Sequence, residues 1–311
     1  MKNYGILCCL ILLSSLLLSS CGNSDNEIKN AEPEVVATST MIADMVRTIA
    51  GPDVKVIGLM APGVDPHTYE PPARVYSDLR HANAIIYNGL HLEGKMTEAF
   101  EKQGDKAIAI SDHLPADRLI SPEAIDAEFG DPHVWGDASL WALAIPFVVE
   151  KLASLKPEKK ADFEARGKAY QKEVEDFHAW AQQQIASLPE SGRVLITSHD
   201  AFNYFGKAYG LEVYGLAGIS TVDEPSGATV LHTIDMIKEK GVKAIFPESS
   251  VNPSVIERIS KDAGVSKGET LFSDSCGQLG DIRTKNGETY DVGTYIGMMK
   301  HNVNSIVDAL K

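Results

Sequence analysis

The chain has 311 residues, 44% of them apolar and 23% charged, with a formal net charge of −14 at pH 7. That length buries one large core or two ordinary ones, and the composition is that of a soluble globular protein. The negative charge argues against nucleic acid as a partner and suits a cationic ligand.

The start of the chain stands apart. Lys2 supplies a basic first segment, and residues 6–18 form an apolar run too short for a membrane span of about 20 residues. The run ends in Leu18-Ser19-Ser20-Cys21, small residues before a cysteine. Residues 1–20 read as a secretory signal. Its ending resembles the bacterial lipoprotein signal, which implies that Cys21 is lipidated and becomes the mature N-terminus. Residues 21–34 then read as a flexible tether to a membrane surface. Cys8 and Cys9 leave with the signal, so only Cys276 of the four cysteines remains free and no intrachain disulfide is expected. Cys276 is expected as a buried small side chain rather than a soft metal ligand.

From residue 35 the pattern alternates between strand-like and helical segments. Strands are predicted over 35–38, 54–60, 84–87 and 107–110, with helices over 41–50, 74–82 and 95–103. This alternation implies a mainly parallel sheet with helices on both faces. Residues 112–130 are polar, with Pro115 and Pro122, and read as a surface loop. Residues 137–155 read as one apolar helix bent at Pro146.

Pro157 opens a longer element. Phe163, Gly167, Tyr170, Val174, Phe177, Ala181 and Ile185 recur at spacings of three and four, one face of a single helix of ~30 residues or ~45 Å. A coiled coil is the rival reading of this heptad-like row. Its mixture of aromatic and small residues suits a helix lying along a globular surface better. The alternation then restarts, with strands over 194–197, 211–216, 244–246 and 269–272 and helices over 201–209, 226–240, 253–263 and 293–310. The expected fold class is α/β, with two doubly wound parallel-sheet lobes bridged by one long rigid helix. The expected lobes are 35–156 and 189–311, and the linking helix is 157–188.

Three histidines and an aspartate stand out against this frame. His67 lies in the stiff loop Ala61-Pro62-Gly63-Val64-Asp65-Pro66-His67-Thr68-Tyr69-Glu70-Pro71-Pro72. The tripeptide Asp-Pro-His returns at Asp131-Pro132-His133. His199 and Asp274 each follow an apolar strand-like run. In open α/β sheets ligands bind beyond the C-terminal strand ends, so these four residues converge on a cleft between the lobes. Three imidazoles and one carboxylate suit a divalent metal, zinc before manganese. Asp65 and Asp131 read either as acceptors that hold the imidazole rings or as turn formers. Glu248, at a strand end, is a further group that can support the site. His81, His178, His232 and His301 fall on helices and read as surface or packing residues. His91 is a candidate neighbour of the cleft.

Several stretches together carry a family resemblance. They are Asp65-Pro66-His67-Thr68-Tyr69-Glu70-Pro71, Asp131-Pro132-His133-Val134-Trp135, Ser198-His199-Asp200-Ala201-Phe202-Asn203-Tyr204-Phe205, Leu271-Phe272-Ser273-Asp274, and the stretch from Gly293 to Asn302. The chain resembles the metal-receptor family of bacterial ABC importers, the cluster A-I zinc/manganese-binding lipoproteins, and is nearest to the TroA type. The resemblance implies one bound divalent metal at His67, His133, His199 and Asp274, no catalysis, a membrane permease as partner, a lipid anchor and a monomeric protein outside the cytoplasm. Zinc-type members often carry a histidine-rich loop before the second ligand, and here that loop has only His113. Manganese-type members often carry glutamate at the third position, where this chain has His199. The resemblance also places the segment Ser220-Thr221 to Glu224-Pro225-Ser226 near the cleft.

The other classes weighed are a secreted zinc hydrolase and a lipid-anchored adhesin. A hydrolytic zinc commonly keeps an open water position and a nearby base, and the chain has no His-Glu-x-x-His or Walker loop.

Overall fold

The structure is a computed structural model describing residues 32–125, 128–221 and 225–311. The signal segment, Cys8, Cys9, Cys21, the tether up to residue 31, and Glu224 lie outside the described residues.

The first sheet is all parallel, in the order β2-β1-β3-β4. Its strands are β1 (Glu34–Ala37), β2 (Lys55–Gly58), β3 (Ala84–Tyr87) and β4 (Ala107–Ala109). Helices α1 (Thr40–Ala50), α2 (Ala73–His81) and the short α3 (Thr97–Glu101) connect them. Both faces of β1 are covered, as a parallel strand requires. Val35 and Ala37 face the central core, whereas Val36 joins Leu79, Ile85 and Phe100 on the outer face. Helix α1 starts where Ser39 Oγ accepts the Ile42 N–H at 3.4 Å.

Within the loop of 112–130, residues Pro122–Ile125 form the short α4. The helix predicted over 137–155 is two helices, α5 (Ala138–Ala142) and α6 (Ile145–Leu155). Pro146 falls in the first turn of α6, where its missing N–H has no intrahelical partner to lose, so the chain restarts a helix there instead of bending one.

The long helix, α7 (Lys160–Ala186), has 27 residues. Its buried residues are Phe163, Gly167, Tyr170, Val174, Phe177, Ala181 and Ile185, the row predicted from spacing. That row meets helices of the same chain, so no second strand of a coiled coil is needed. The small residue at 167 has a steric cause. A Cβ there would lie 2.4 Å from a methyl of Val149, on the α6 helix that packs against it.

After α7 come β5 (Val194–Thr197), α8 (Asn203–Tyr209), β6 (Glu212–Gly215), α9 (Gly227–Lys240), β7 (Ala244–Ile245), α10 (Ser254–Ala263) and β8 (Ser266–Lys267). Strands β5 and β6 pair in parallel, as do β7 and β8, and the Phe246 N–H donates to Ile196 O at 2.9 Å beside β5. The same alternation of faces recurs, with Leu195 in the central core and Ile196 packed with Ile234, Ile245 and Ile259 on the outer side. Helix α7 packs against α1, α5 and α6 and also against α8 and the last helix, α11 (Tyr295–Leu310). It therefore packs against elements of both parallel systems. Residues 33–311 form one compact unit.

A further expectation is corrected. The strand predicted over 269–272 is reduced to one parallel bridge, Leu271 with Glu248, because Leu271 pairs locally on one side and then turns towards Asp274. A hairpin that the sequence reading passed over, β9 (Ile282–Lys285) and β10 (Glu288–Asp291), precedes α11. Its turn is Asn286-Gly287, with φ of 53° and 81°, the two left-handed residues that a two-residue hairpin turn demands.

Candidate metal centre

Each candidate donor is held by its own local arrangement. In the loop after β2, Asp65 Oδ1 accepts the His67 N–H at 2.9 Å, while Oδ2 accepts the hydroxyls of Thr68 and Thr221. The second Asp-Pro-His begins the same way, with Asp131 Oδ1 accepting the His133 N–H at 2.9 Å, but the same oxygen also lies 2.8 Å from ring Nδ1. Asp131 Oδ2 takes Asn203 Nδ2 at 3.1 Å, and Asn88 Nδ2 holds Pro132 O at 2.8 Å.

His199 follows β5. Its N–H donates to Glu248 Oε1 at 2.9 Å, and its Nδ1 lies 2.6 Å from Glu248 Oε2. Asp274 follows a segment clamped by Asn302, whose amide pairs with Phe272 N–H and C=O at 2.9 and 2.7 Å. Trp135 Nε1 donates to Ser273 O at 2.8 Å, and Ser250 Oγ donates to Asp274 Oδ2 at 3.1 Å. The next residue, Ser275, accepts the Gly63 N–H at 2.8 Å, which ties the Asp274 turn to the His67 loop.

These four residues meet. One nitrogen from each histidine and one oxygen of Asp274 all lie within 4.8 Å of one another. His67 Nε2 is 3.3 Å from His133 Nε2, His133 Nε2 is 3.4 Å from Asp274 Oδ1, and His199 Nε2 is 3.3 Å from Asp274 Oδ2. His133 and His199 are 0% exposed, Asp274 1% and His67 9%, so the loop of His67 forms the side nearest solvent. His199 Nε2 and Asp274 Oδ1 are buried and have no hydrogen-bond partner. Orphaned buried polar atoms are costly, and here both face the same point.

The charges are strongly coupled. Burial opposes the charged form of His133, but Asp131 and then Asp274 outweigh it and raise its pKa to about 9. Burial likewise opposes charge on His199, and Glu248 and Asp274 lift it well above the usual imidazole range. Asp274 is held well below the usual carboxylate range because both imidazoles overcome its desolvation. His67, whose ring has no carboxylate behind it, is pushed down to about 4, chiefly by burial.

No other histidine joins the cluster. His81 Nδ1 faces Ser77 O, His91 stacks on Phe129 and His113 on Phe147. His178 lies over Tyr209, and His232 is exposed. His301 is buried with Nε2 3.0 Å from Thr270 O. Cys276 is buried, and its N–H donates to Thr40 Oγ1 at 2.7 Å. The supporting residues Asn88, Asn203, Ser275 and Asn302 were not singled out from sequence. Of these, Asn203 and Asn302 fall within stretches that carry the family resemblance.

Two parallel α/β systems sharing one long helix, with donors gathered at strand ends and loops, define the helix-bridged class of solute-binding proteins. The chain belongs to the ZnuA family, described as the periplasmic component A of a zinc-uptake complex, which matches residues 35–309. It is 40% identical over 314 residues, 98% of each chain, to the zinc-binding protein TroA of Treponema pallidum. It is 37% identical over 310 residues, 97% of each, to the manganese-binding lipoprotein MntA of Bacillus subtilis. The solved structure of the T. pallidum periplasmic zinc-binding protein TroA superposes with a TM-score of 0.83 at 42% identity, over 90% of this chain and 99% of that one.

Proposed function

We propose that this protein is an extracytoplasmic receptor that binds one divalent metal ion as cargo and delivers it to the membrane permease of an ABC importer. The observation that carries this reading is the buried meeting of His67, His133, His199 and Asp274, with no hydrogen bond made by His199 Nε2 or Asp274 Oδ1. These four are the ligands in this reading. Four protein donors around one ion leave no site for a reacting water, which favours carriage over hydrolysis. The protein acts as a monomer held to the membrane by lipid on Cys21, in keeping with relatives named as lipoproteins.

Zinc is the preferred ion and manganese the second. Affinity at nitrogen-rich sites rises from manganese towards the end of the first row, and carboxylates suit manganese better than imidazoles do. The test is elemental analysis of protein purified without added metal, followed by competition titration. Alanine at any of the four ligands is expected to weaken zinc binding at least ~10-fold, about 1.4 kcal/mol. Alanine at His81 or His232 leaves it unchanged. His199→Glu, which adds a hard oxygen and a negative charge, narrows the preference for zinc over manganese. Unaltered binding in the four alanine variants, or tighter wild-type binding of manganese than zinc, contradicts the proposal.

A further inference from the structure

Glu248 lies outside the donor set, yet it is as deeply buried as the donors, at 2% exposure. Its backbone runs between the two ligand-bearing segments of the second half of the chain. On one side the Phe246 N–H donates to Ile196 O, in the strand that leads to His199. On the other side Leu271 N–H donates to Pro247 O and Ser249 N–H to Leu271 O, both at 2.9 Å, in the segment that leads to Asp274. The position of its carboxylate is thus set by the same backbone that sets two of the ligands.

Both of its oxygens are committed to one residue. Oε1 accepts the His199 N–H, and Oε2 sits 2.6 Å from ring Nδ1. Oε2 and Nδ1 are both buried with no hydrogen bond to any other group, and the atom each lies against is the other. A buried carboxylate oxygen with nothing to face is strongly unfavourable, so the proton of the neutral ring belongs on Nδ1. That leaves the Nε2 lone pair pointing at Asp274 and the centre. His67 shows that this backing is not general. The oxygens of Asp65 go to the His67 N–H and to Thr68 and Thr221, and none goes to the ring.

We propose that Glu248 is a positioning residue that sets the affinity and the metal preference of the site through His199. Its anionic oxygen fixes the tautomer and orientation of the ring and makes Nε2 a stronger donor, as carboxylates behind metal-binding imidazoles do. Stronger nitrogen donation favours zinc, whose bonds to imidazole are stronger, more than manganese, which prefers oxygen. This rests on the reading above, in which His199 is a ligand.

The test is a double-mutant cycle on the full-length protein with zinc and manganese as probes. Glu248→Gln keeps the size but offers one acceptor and one amide group to two N–H donors. It is expected to weaken zinc binding by about 10- to 100-fold and manganese binding by less. In a His199→Ala background the same change is expected to cost no more than about 2-fold, the scatter of independent sites. Glu248→Asp, which keeps the charge but draws it back from Nδ1, is expected to fall between wild type and Glu248→Gln, and it serves if the glutamine variant does not fold. The proposal is overturned if folded Glu248→Gln binds zinc as wild type does while His199→Ala is weakened, or if its cost is equal in both backgrounds. If His199→Ala itself binds zinc normally, the ligand assignment fails and this inference fails with it.

Discussion

Asp131 is joined to His133 twice, through the backbone N–H at 2.9 Å and through ring Nδ1 at 2.8 Å, both at Oδ1. Asp65 stands in the same Asp-Pro-His tripeptide and makes only the first of these contacts with His67. The difference lies in the surroundings. Thr221, 156 residues away, and Thr68 draw Asp65 Oδ2, whereas Asn203 takes the free oxygen of Asp131 and leaves the other turned to the ring. Asp131→Ala is therefore expected to weaken zinc binding about 10- to 100-fold, and Asp65→Ala by less. Titration of both variants checks this, and an equal or reversed order contradicts it.

The coupled charges predict how binding responds to pH. Asp131 and Asp274 overcome burial and hold His133 at about 9, and His199 is also raised. A metal ion entering at neutral pH must displace these protons. Binding is expected to release protons at pH 7, and affinity is expected to keep rising towards about pH 9 instead of levelling above the ordinary imidazole value. Calorimetry in buffers of different ionisation enthalpy measures the release, and a count of zero contradicts the raised pKa of His133 and His199. For the metal-free fold, a histidine with a raised pKa contributes stability that is full below 6.5 and is lost as pH climbs to about 9. His67, lowered to about 4, does the opposite, removing stability as pH falls from 6.5 towards that value. Metal-free protein should thus melt lower at pH 9 than at pH 6.5 on account of His133 and His199.

Gly215, at the end of β6, is where the backbone presses on the His199 turn. A Cβ there would lie 2.4 Å from Asp200 Oδ1, 2.5 Å from Asp200 N and 2.6 Å from the His199 carbonyl carbon. Backbone atoms cannot swing away as a side chain does. Gly215→Ala is expected to lower stability by about 1–3 kcal/mol, the range for overpacking, and to weaken metal binding by displacing His199. Gly218, a few residues on, has nothing within 4 Å of such a Cβ, so Gly218→Ala serves as the control. Equal melting temperatures for the two variants would contradict this.

The proposed lipidation of Cys21 predicts where the protein resides. Cys21→Ser is expected to release it from the membrane fraction with zinc affinity unchanged, because the proposed ligands all lie beyond residue 66. Fractionation of expressing cells tests it, and membrane retention of the variant removes the anchor at Cys21.

Much of this protein was legible in the amino-acid sequence, because local patterns carry it. The period of the Phe163 to Ile185 row reports which face of a helix is buried, and that follows from 3.6 residues per turn alone. The bounds of β3 and β5, the break of structure at the prolines and glycines of the His67 loop, and the ends of α9 and α10 at Gly241 and Gly264 are likewise short-range effects of propensity and backbone freedom. The Asn286-Gly287 hairpin was equally legible and was passed over. The strand expected over 269–272 was not decidable in that way, since a β-forming run becomes a strand only if a neighbour lies alongside, and Leu271 finds one bridging residue. The four donors were recognisable as residue types on loops, but their convergence to within 4.8 Å was a matter of topology. What only the tertiary structure decided is which groups stand behind them. Glu248 meets His199 across 49 residues, and Ser275 meets Gly63 across 212. A hydrogen bond depends on angstroms and angles, and separation along the chain does not determine either until the sheets have formed and α7 has packed against both halves.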